Sequence, residues 1–193
     1  MNKVSGKIIN FNEAFFGEVF FDKHIHNINK TESKTLDQYI IPGFIDLHCH
    51  GAVNHDTMQG LESIKKMADF HLSKGTTTLL PTTLTNSLED TYRALDGFNN
   101  FLLNDNSNIV GVHLEGPFIN PNKLGAQPSL AQKPDIAFIE EIKKIAKIKS
   151  VTLAPELEGI DNLIKYLAEN IINIQFGHSL ASYECCKNFM ENY

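Results

Sequence analysis

From residue 42 onward the chain repeats one pattern, a short apolar run followed by a stretch whose apolar residues recur at helical spacing. That alternation constrains the fold to parallel βα units, because parallel neighbours need a long crossover that a helix supplies. Gly43 to Cys49 predicts the first strand. A helix over Leu61 to Ser73 follows, with Leu61, Ile64, Met67, Ala68 and Leu72 on one face and Lys74 and Gly75 ending it. Thr76 to Leu80 predicts the second strand, and Ser87 caps a helix carrying Tyr92, Leu95, Phe98 and Leu102 on one side. Asn108 to Leu114 is the third strand. A long loop through Gly116, Pro117, Pro121, Gly125 and Pro128, of functional length, leads to a helix over Ile136 to Lys147 with Ile139, Ile142, Ile145 and Ala146 inward. Val151 to Ala154, a helix over Asp161 to Asn170, the strand Asn173 to Phe176 and a helix from near Ala181 complete five units, with no sixth begun by Tyr193.

Residues 1 to 41 read differently. Alternating stretches at Lys7 to Phe11, Gly17 to Phe21 and His24 to Ile28, then a polar stretch from Asn29 to Ser33, predict a small β unit. The domain organisation expected is therefore 1–41, part of a small β-sandwich, and 42–193, the amino-terminal part of a β/α barrel. A closed eight-stranded barrel usually needs about 250 residues. With 193, the expected class is α/β, a partial (β/α)8 TIM-like barrel of about five βα units.

Composition excludes several function classes. The chain is 42% hydrophobic and 21% charged, enough apolar residue to build a core. A net charge of -6 and the lack of a dense Lys/Arg stripe argue against nucleic acid. Its apolar runs are strand-length and its amino terminus has no continuous signal-peptide core, so the expected setting is cytoplasmic, without a membrane partner. Three cysteines, two of them vicinal at Cys185 and Cys186, fit reduced thiols, and Cys49 reads as a core residue.

The chemistry gathers at the strand ends. In Pro42 to Gly51 the first strand runs into His48 and His50, whose i, i+2 spacing puts both rings on one face, with Asp46 two residues earlier on that face. The third strand ends in His113 and Glu115 with the same spacing, the fourth in Pro155 and Glu156, and the fifth carries His178 at its last position. In a parallel barrel these ends share one rim, and imidazoles with a carboxylate converging from separate segments can hold a metal. The alternative for His48 and His50 is a buried strand in which each finds a hydrogen-bond partner. Glu115 could instead cap the loop that follows, although an ionised carboxylate at an apolar strand end is costly unless paired or metal-bound. His178 could be incidental, with Ser179 capping the next helix. His113 sits deeper and braces the strand. Glu156 is expected to pair with a lysine, His24 and His26 to lie on the surface without acidic neighbours, His55 in a loop and His71 on a helix surface.

Several segments together resemble the N-acetylglucosamine-6-phosphate deacetylases of the amidohydrolase superfamily, over nearly the whole chain. PGFIDLHCHG (42 to 51) is similar to the superfamily's first-strand signature. HLEGPFINPNKLGAQ (113 to 127) is far more specific, with GTTTLLPT (75 to 82), LAPE (153 to 156) and GHS (177 to 179) in the same order. The resemblance implies that Glu115 and His178 bind the main divalent metal and that His48 and His50 form a second site, giving one or two ions. Zinc is the first choice, and Fe, Mn or Co would also suit such ligands. Gln127 matches a position, often His, that contacts the sugar. The same resemblance places a second histidine ligand, the catalytic aspartate and the phosphate-binding groups beyond residue 193, and makes the complete protein a homodimer.

The expected activity is hydrolysis of N-acetylglucosamine 6-phosphate, a small amino-sugar phosphate, to glucosamine 6-phosphate and acetate, with metal-activated hydroxide attacking the acetamide and an aspartate moving the proton. Two alternatives stand beside it. One is a truncated, inactive remnant lacking that aspartate and the second histidine. The other is a cyclic amidase or deaminase of the same superfamily, against which the HLEGP segment argues.

Overall fold

The computed structural model describes residues 1–32, 38–104 and 107–192. Ser33, the end of the polar stretch, lies outside them. The chain forms two compact units, Met1–Gly43 and Phe44–Tyr193.

The first unit is one four-stranded sheet of β1 (Asn2–Ile9), β2 (Ala14–Phe21), β3 (Ile25–Lys30) and β4 (Tyr39–Ile40), in the order β3-β2-β1-β4. β1 and β2 form an antiparallel hairpin in which Gly6 lies opposite Gly17, and β4 joins the other side of β1 in parallel. Alternation buries Ile8 and Val19 and leaves β3 exposed along its length. His24 and His26 are exposed, as expected, but His26 has an acidic neighbour after all. Its Nε2 lies 2.8 Å from Asp22 Oδ2 across the tight turn into β3.

The second unit runs β5 (Phe44–Cys49), a short hairpin of β6 (Gly51–Ala52) and β7 (His55–Asp56), a 3₁₀ turn, then α1 (Leu61–Ser73). Next come β8 (Thr76–Thr83), α2 (Leu88–Leu95), α3 (Phe98–Asn104), β9 (Val112–Glu115) and α4 (Ile136–Ile145). β10 (Ile148–Leu153), α5 (Ile160–Glu169), β11 (Asn173–Phe176) and α6 (Tyr183–Asn192) end it. The large sheet is five-stranded and parallel, ordered β11-β10-β9-β8-β5, a curled half-barrel with every strand's carboxyl end on one rim.

The core lies between this sheet and its helices. Leu79, Val112, Leu114, Val151 and Leu153 point from the strands toward Ile64 and Met67 of α1, Leu95 and Phe98, Ile139 and Ile142 of α4, and Leu163 and Leu167 of α5. All are buried, and each such side chain contributes roughly 1.5–3 kcal/mol. α1 begins and ends as the periodicity requires, but Leu72 is 45% exposed at its last turn. The helix after Ser87 is not continuous. It breaks at Asp96 and at Gly97, whose φ is +76°, and in the first piece Tyr92 faces outward while Thr91, Ala94 and Leu95 are buried. β8 runs three residues beyond Leu80, through Pro81, and pairs Thr82 with His113. The third strand is shorter than expected, starting at Val112, with Ile109 only bridging to Leu79. No helix is long and apolar enough to cross a membrane among the described residues.

Candidate metal centre

Three strand ends deliver one cluster. Glu115 is the last residue of β9, with a side chain only 7% exposed, and three imidazoles face its carboxylate. His50 Nε2 stands 2.9 Å from Oε2, while His48 Nε2 and His178 Nε2 stand 3.3 and 3.2 Å from Oε1. His48 and His50 also bring their Nε2 atoms to 3.2 Å from each other. Period-two alternation explains the His48 and His50 pair. His178 arrives differently from expectation. β11 ends at Phe176, and His178 lies two residues on with φ +51°, a left-handed conformation that an imidazole adopts only when its surroundings hold it there. Its Nδ1 to the Lys123 carbonyl, 2.8 Å, and the Asn120 N–H to its own carbonyl, 2.9 Å, are those constraints.

Second partners fix the ring tautomers. A carbonyl only accepts, so His50 Nδ1, 3.2 Å from the Thr82 carbonyl, and His178 Nδ1 both carry hydrogen. In the neutral rings each Nε2 therefore presents a lone pair to a carboxylate oxygen. Such a contact is repulsive unless a proton or a cation lies between, and a set of imidazole nitrogens and a carboxylate oriented in this way suits a borderline divalent ion. The residues fit a metal.

Gln127 sits in the loop after β9 with both ends of its amide engaged. Its Nε2 donates to Glu115 Oε2 in a short contact, and its Oε1 accepts from the Thr85 N–H at 2.7 Å. Thr85 Oγ1 donates to the Glu115 backbone carbonyl at 3.3 Å, so the buried threonine holds both the Glu115 main chain and the glutamine that contacts its carboxylate. His113 is fully buried behind the cluster, its Nδ1 3.2 Å from Thr82 Oγ1 and its Nε2 2.7 Å from Thr152 Oγ1. Thr82, Thr85 and Thr152 escaped the sequence reading. The only signal was the placement of hydroxyls at strand ends where an aliphatic core would be expected.

Other expectations are corrected. Asp46 does not join His48 and His50. Its Oδ1 accepts from the His48 N–H at 3.1 Å, and its carboxylate lies near Cys49 and His71 instead. Pairing of β5 with β8 slips between Asp46 and Cys49, which breaks the alternation. No lysine pairs with Glu156 among the described residues. Its oxygens accept from Asn120 Nδ2 at 2.8 Å, Ser179 Oγ at 2.6 Å and the Leu180 N–H at 2.6 Å, tying the turn after His178 to β10. His71 is half-buried against Cys49, and His55 is half-buried beside Ser63.

Burial pushes the Glu115 carboxyl upward, but the hydrogen bond from His50 and the charges of His48, His50 and His178 outweigh it and hold it at about 2. The bond to Glu115 raises His50. Burial, with His48 beside it, holds His113 down at about 4 against an ordinary 6.5. A depressed folded value means that neutral His113 contributes stability present above pH 6.5 and lost as pH falls through 4. Urea unfolding of the metal-free protein should show that loss, on the order of 2–3 kcal/mol. In His113→Gln the slope between those pH values should flatten; an unchanged slope would assign it to another group.

A parallel β/α half-barrel whose carboxyl rim gathers imidazoles around a carboxylate is the architecture of metal-dependent hydrolases. The chain matches the amidohydrolase family over residues 39–182 and belongs to it. It is 33% identical to the N-acetylglucosamine-6-phosphate deacetylase of Lysinibacillus sphaericus, covering 84% of this chain and 43% of that protein. With the enzyme of the same description from Bacillus subtilis (strain 168) it shares 31% identity, over 89% of this chain and 46% of that one. It superposes on the crystal structure of the Thermotoga maritima N-acetylglucosamine-6-phosphate deacetylase with a TM-score of 0.88 and 32% identity, covering 98% of this chain and 52% of that one. The chain thus spans about half the length of these relatives.

Proposed function

We propose that this rim belongs to a metal-dependent deacetylase that hydrolyses N-acetylglucosamine 6-phosphate to glucosamine 6-phosphate and acetate. The observation that carries the reading is Glu115 with three Nε2 atoms turned onto it, on a fold shared with enzymes of that description. Glu115 and His178 would hold the main ion, with His48 and His50 holding it from the other side or holding a second. When bound, a divalent ion such as zinc supplies Lewis acidity and lowers the pKa of water to about 7. The chain's own residues do the rest. The Thr82 and Lys123 carbonyls keep hydrogen on the Nδ1 atoms of His50 and His178, so that their Nε2 lone pairs face inward. Gln127 and Thr85 keep the Glu115 carboxylate turned to the rim, and Gln127, by the resemblance, also meets the sugar. The resemblance alone supplies the catalytic aspartate beyond residue 193 and a homodimer as the complete protein, while the cytoplasmic setting rests on apolar runs no longer than a strand.

A second reading rests on the sheet. Both its edges, β5 and β11, are unpaired among the described residues, and an apolar groove of about 680 Å³ opens beside β11, lined by Ile164, Ile172, Phe176 and Phe189 among others. Such edges favour association with further strands rather than turnover by this chain alone. Acetate release from N-acetylglucosamine 6-phosphate by the zinc-loaded protein decides between the readings. The deacetylase reading expects release from the complete protein, and expects Glu115→Ala to abolish it. No release, with zinc weakly held or lost, would favour the second, the truncated and inactive remnant, and ammonia or a ring-opened product from cyclic substrates would overturn both in favour of a deaminase or cyclic amidase.

A further inference from the structure

β5 carries a second group of metal-binding side chains, away from Glu115. Cys49 is buried in the core cluster that includes Ile64 and Met67 of α1, and its Sγ lies 3.1 Å from His71 Nε2 on that helix. Asp46 completes the group. One ligand atom from each of Asp46, Cys49 and His71 falls within 4.8 Å of the other two. Side chains three apart on a regular strand face opposite ways. Here the slip in pairing with β8 between Asp46 and Cys49 lets both reach His71.

We propose that Asp46, Cys49 and His71 form a second divalent-cation site, suited to zinc, which joins β5 to α1. A thiolate, an imidazole and a carboxylate together select a borderline-soft ion over magnesium or calcium. With Zn–S near 2.3 Å and Zn–N near 2.0–2.1 Å, donors around a tetrahedral ion stand roughly 3.3–3.6 Å apart. The present spread closes on an ion with side-chain movements of about 1 Å. Cys49 shuts the core side, while Asp46 and His71 are half-buried and leave the solvent side open for the ion to enter and for a water to fill the remaining position. On binding, the thiol proton passes to solvent as the sulfur–metal bond forms, with no change of oxidation state. The competing account is a simple thiol–imidazole hydrogen bond.

The test uses metal-free protein carrying Cys185→Ser and Cys186→Ser, titrated with Co²⁺. No sulfur belongs to the Glu115 cluster, so a thiolate-to-cobalt charge-transfer band in the near ultraviolet reports Cys49 alone. The expected result is such a band, displaced by zinc, with the cobalt affinity reduced at least about tenfold in His71→Asn and in Asp46→Asn, the loss that even an outer partner of a ligand can cause. No band with the three residues intact overturns the site. So does a band of unchanged affinity in whichever of the two variants keeps its circular dichroism. The readout is independent of acetate release, so the proposal stands or falls apart from the deacetylase reading.

Discussion

Glu115→Ala is expected to strip the rim of metal, with zinc content falling to background and affinity dropping by more than about 100-fold. Removing an outer partner of a metal ligand already costs 10 to about 100-fold, and Glu115 is the group on which three imidazoles converge. Its loss would leave His48 and His50 facing each other across 3.2 Å and the Gln127 amide without its acceptor. A stability effect accompanies it in metal-free protein. The Glu115 carboxyl is held at about 2 against an ordinary 4.5, so its contribution is present above pH 4.5 and lost as pH falls through 2. His50 is raised, so its share is present below pH 6.5 and lost as pH rises. Near pH 5 both are in force, and the variant should lose about 3 kcal/mol there in urea unfolding. Metal analysis by mass spectrometry and unfolding at pH 5 check the two halves separately. A variant that keeps stoichiometric zinc would show that Glu115 is not the centre of the site.

What was legible in the sequence follows from which signals are local. Period-two spacing put His48 with His50, and the helical period set α1, from Leu61 to Ser73, because both depend on neighbours a few residues away. Ser87 as a cap was equally local, its side chain accepting from the Asp90 N–H at 3.1 Å. The Asp96-Gly97 break had a local signal too, since that dipeptide marks turns. The apolar spacing of Leu95, Phe98 and Leu102 across it imitates one helix, and outweighed it.

The remainder depends on contacts between distant segments. Gln127 reaches Thr85 across 42 residues, and His113 reaches Thr152 across 39, and no spacing rule relates them. Glu156 was open to a lysine on composition, but the turn after β11 brings Ser179 and Leu180 to it first. His178 lies past the strand end: at Gly177 an added side chain would crowd the Thr152 methyl, and His178 itself is left-handed with its ring at Glu115. Asp46 failed the alternation for the reason that makes it a candidate ligand elsewhere, the slip of β5 against β8. Apart from the Asp96-Gly97 break, these departures from local rules lie around Glu115 and around Asp46, Cys49 and His71, where regular geometry is given up to bring distant polar residues together.

Gly116→Ala should cost about 4 kcal/mol, although it adds one methyl group outside any helix or strand. Gly116 has φ +83°, where a Cβ costs roughly 1–2 kcal/mol. The added atom would also overlap Thr85 Oγ1 and approach Thr85 Cβ and Cα at 3.2 and 3.4 Å. Thr85 is fully buried and cannot swing outward, so overpacking adds a further 1 to about 3 kcal/mol. Displacing Thr85 also breaks its bonds to the Glu115 carbonyl and Gln127, so the damage passes from a loop to the carboxylate at the rim. Gly159→Ala is the control. Its φ is +81°, nearly the same, yet an added Cβ meets nothing within 4 Å, so the backbone cost appears there alone. The difference between the two variants in urea unfolding should be about 2–3 kcal/mol, with weaker zinc binding only in Gly116→Ala. Equal costs with unchanged zinc affinity would mean that Thr85 adapts freely and does not hold Glu115 in place.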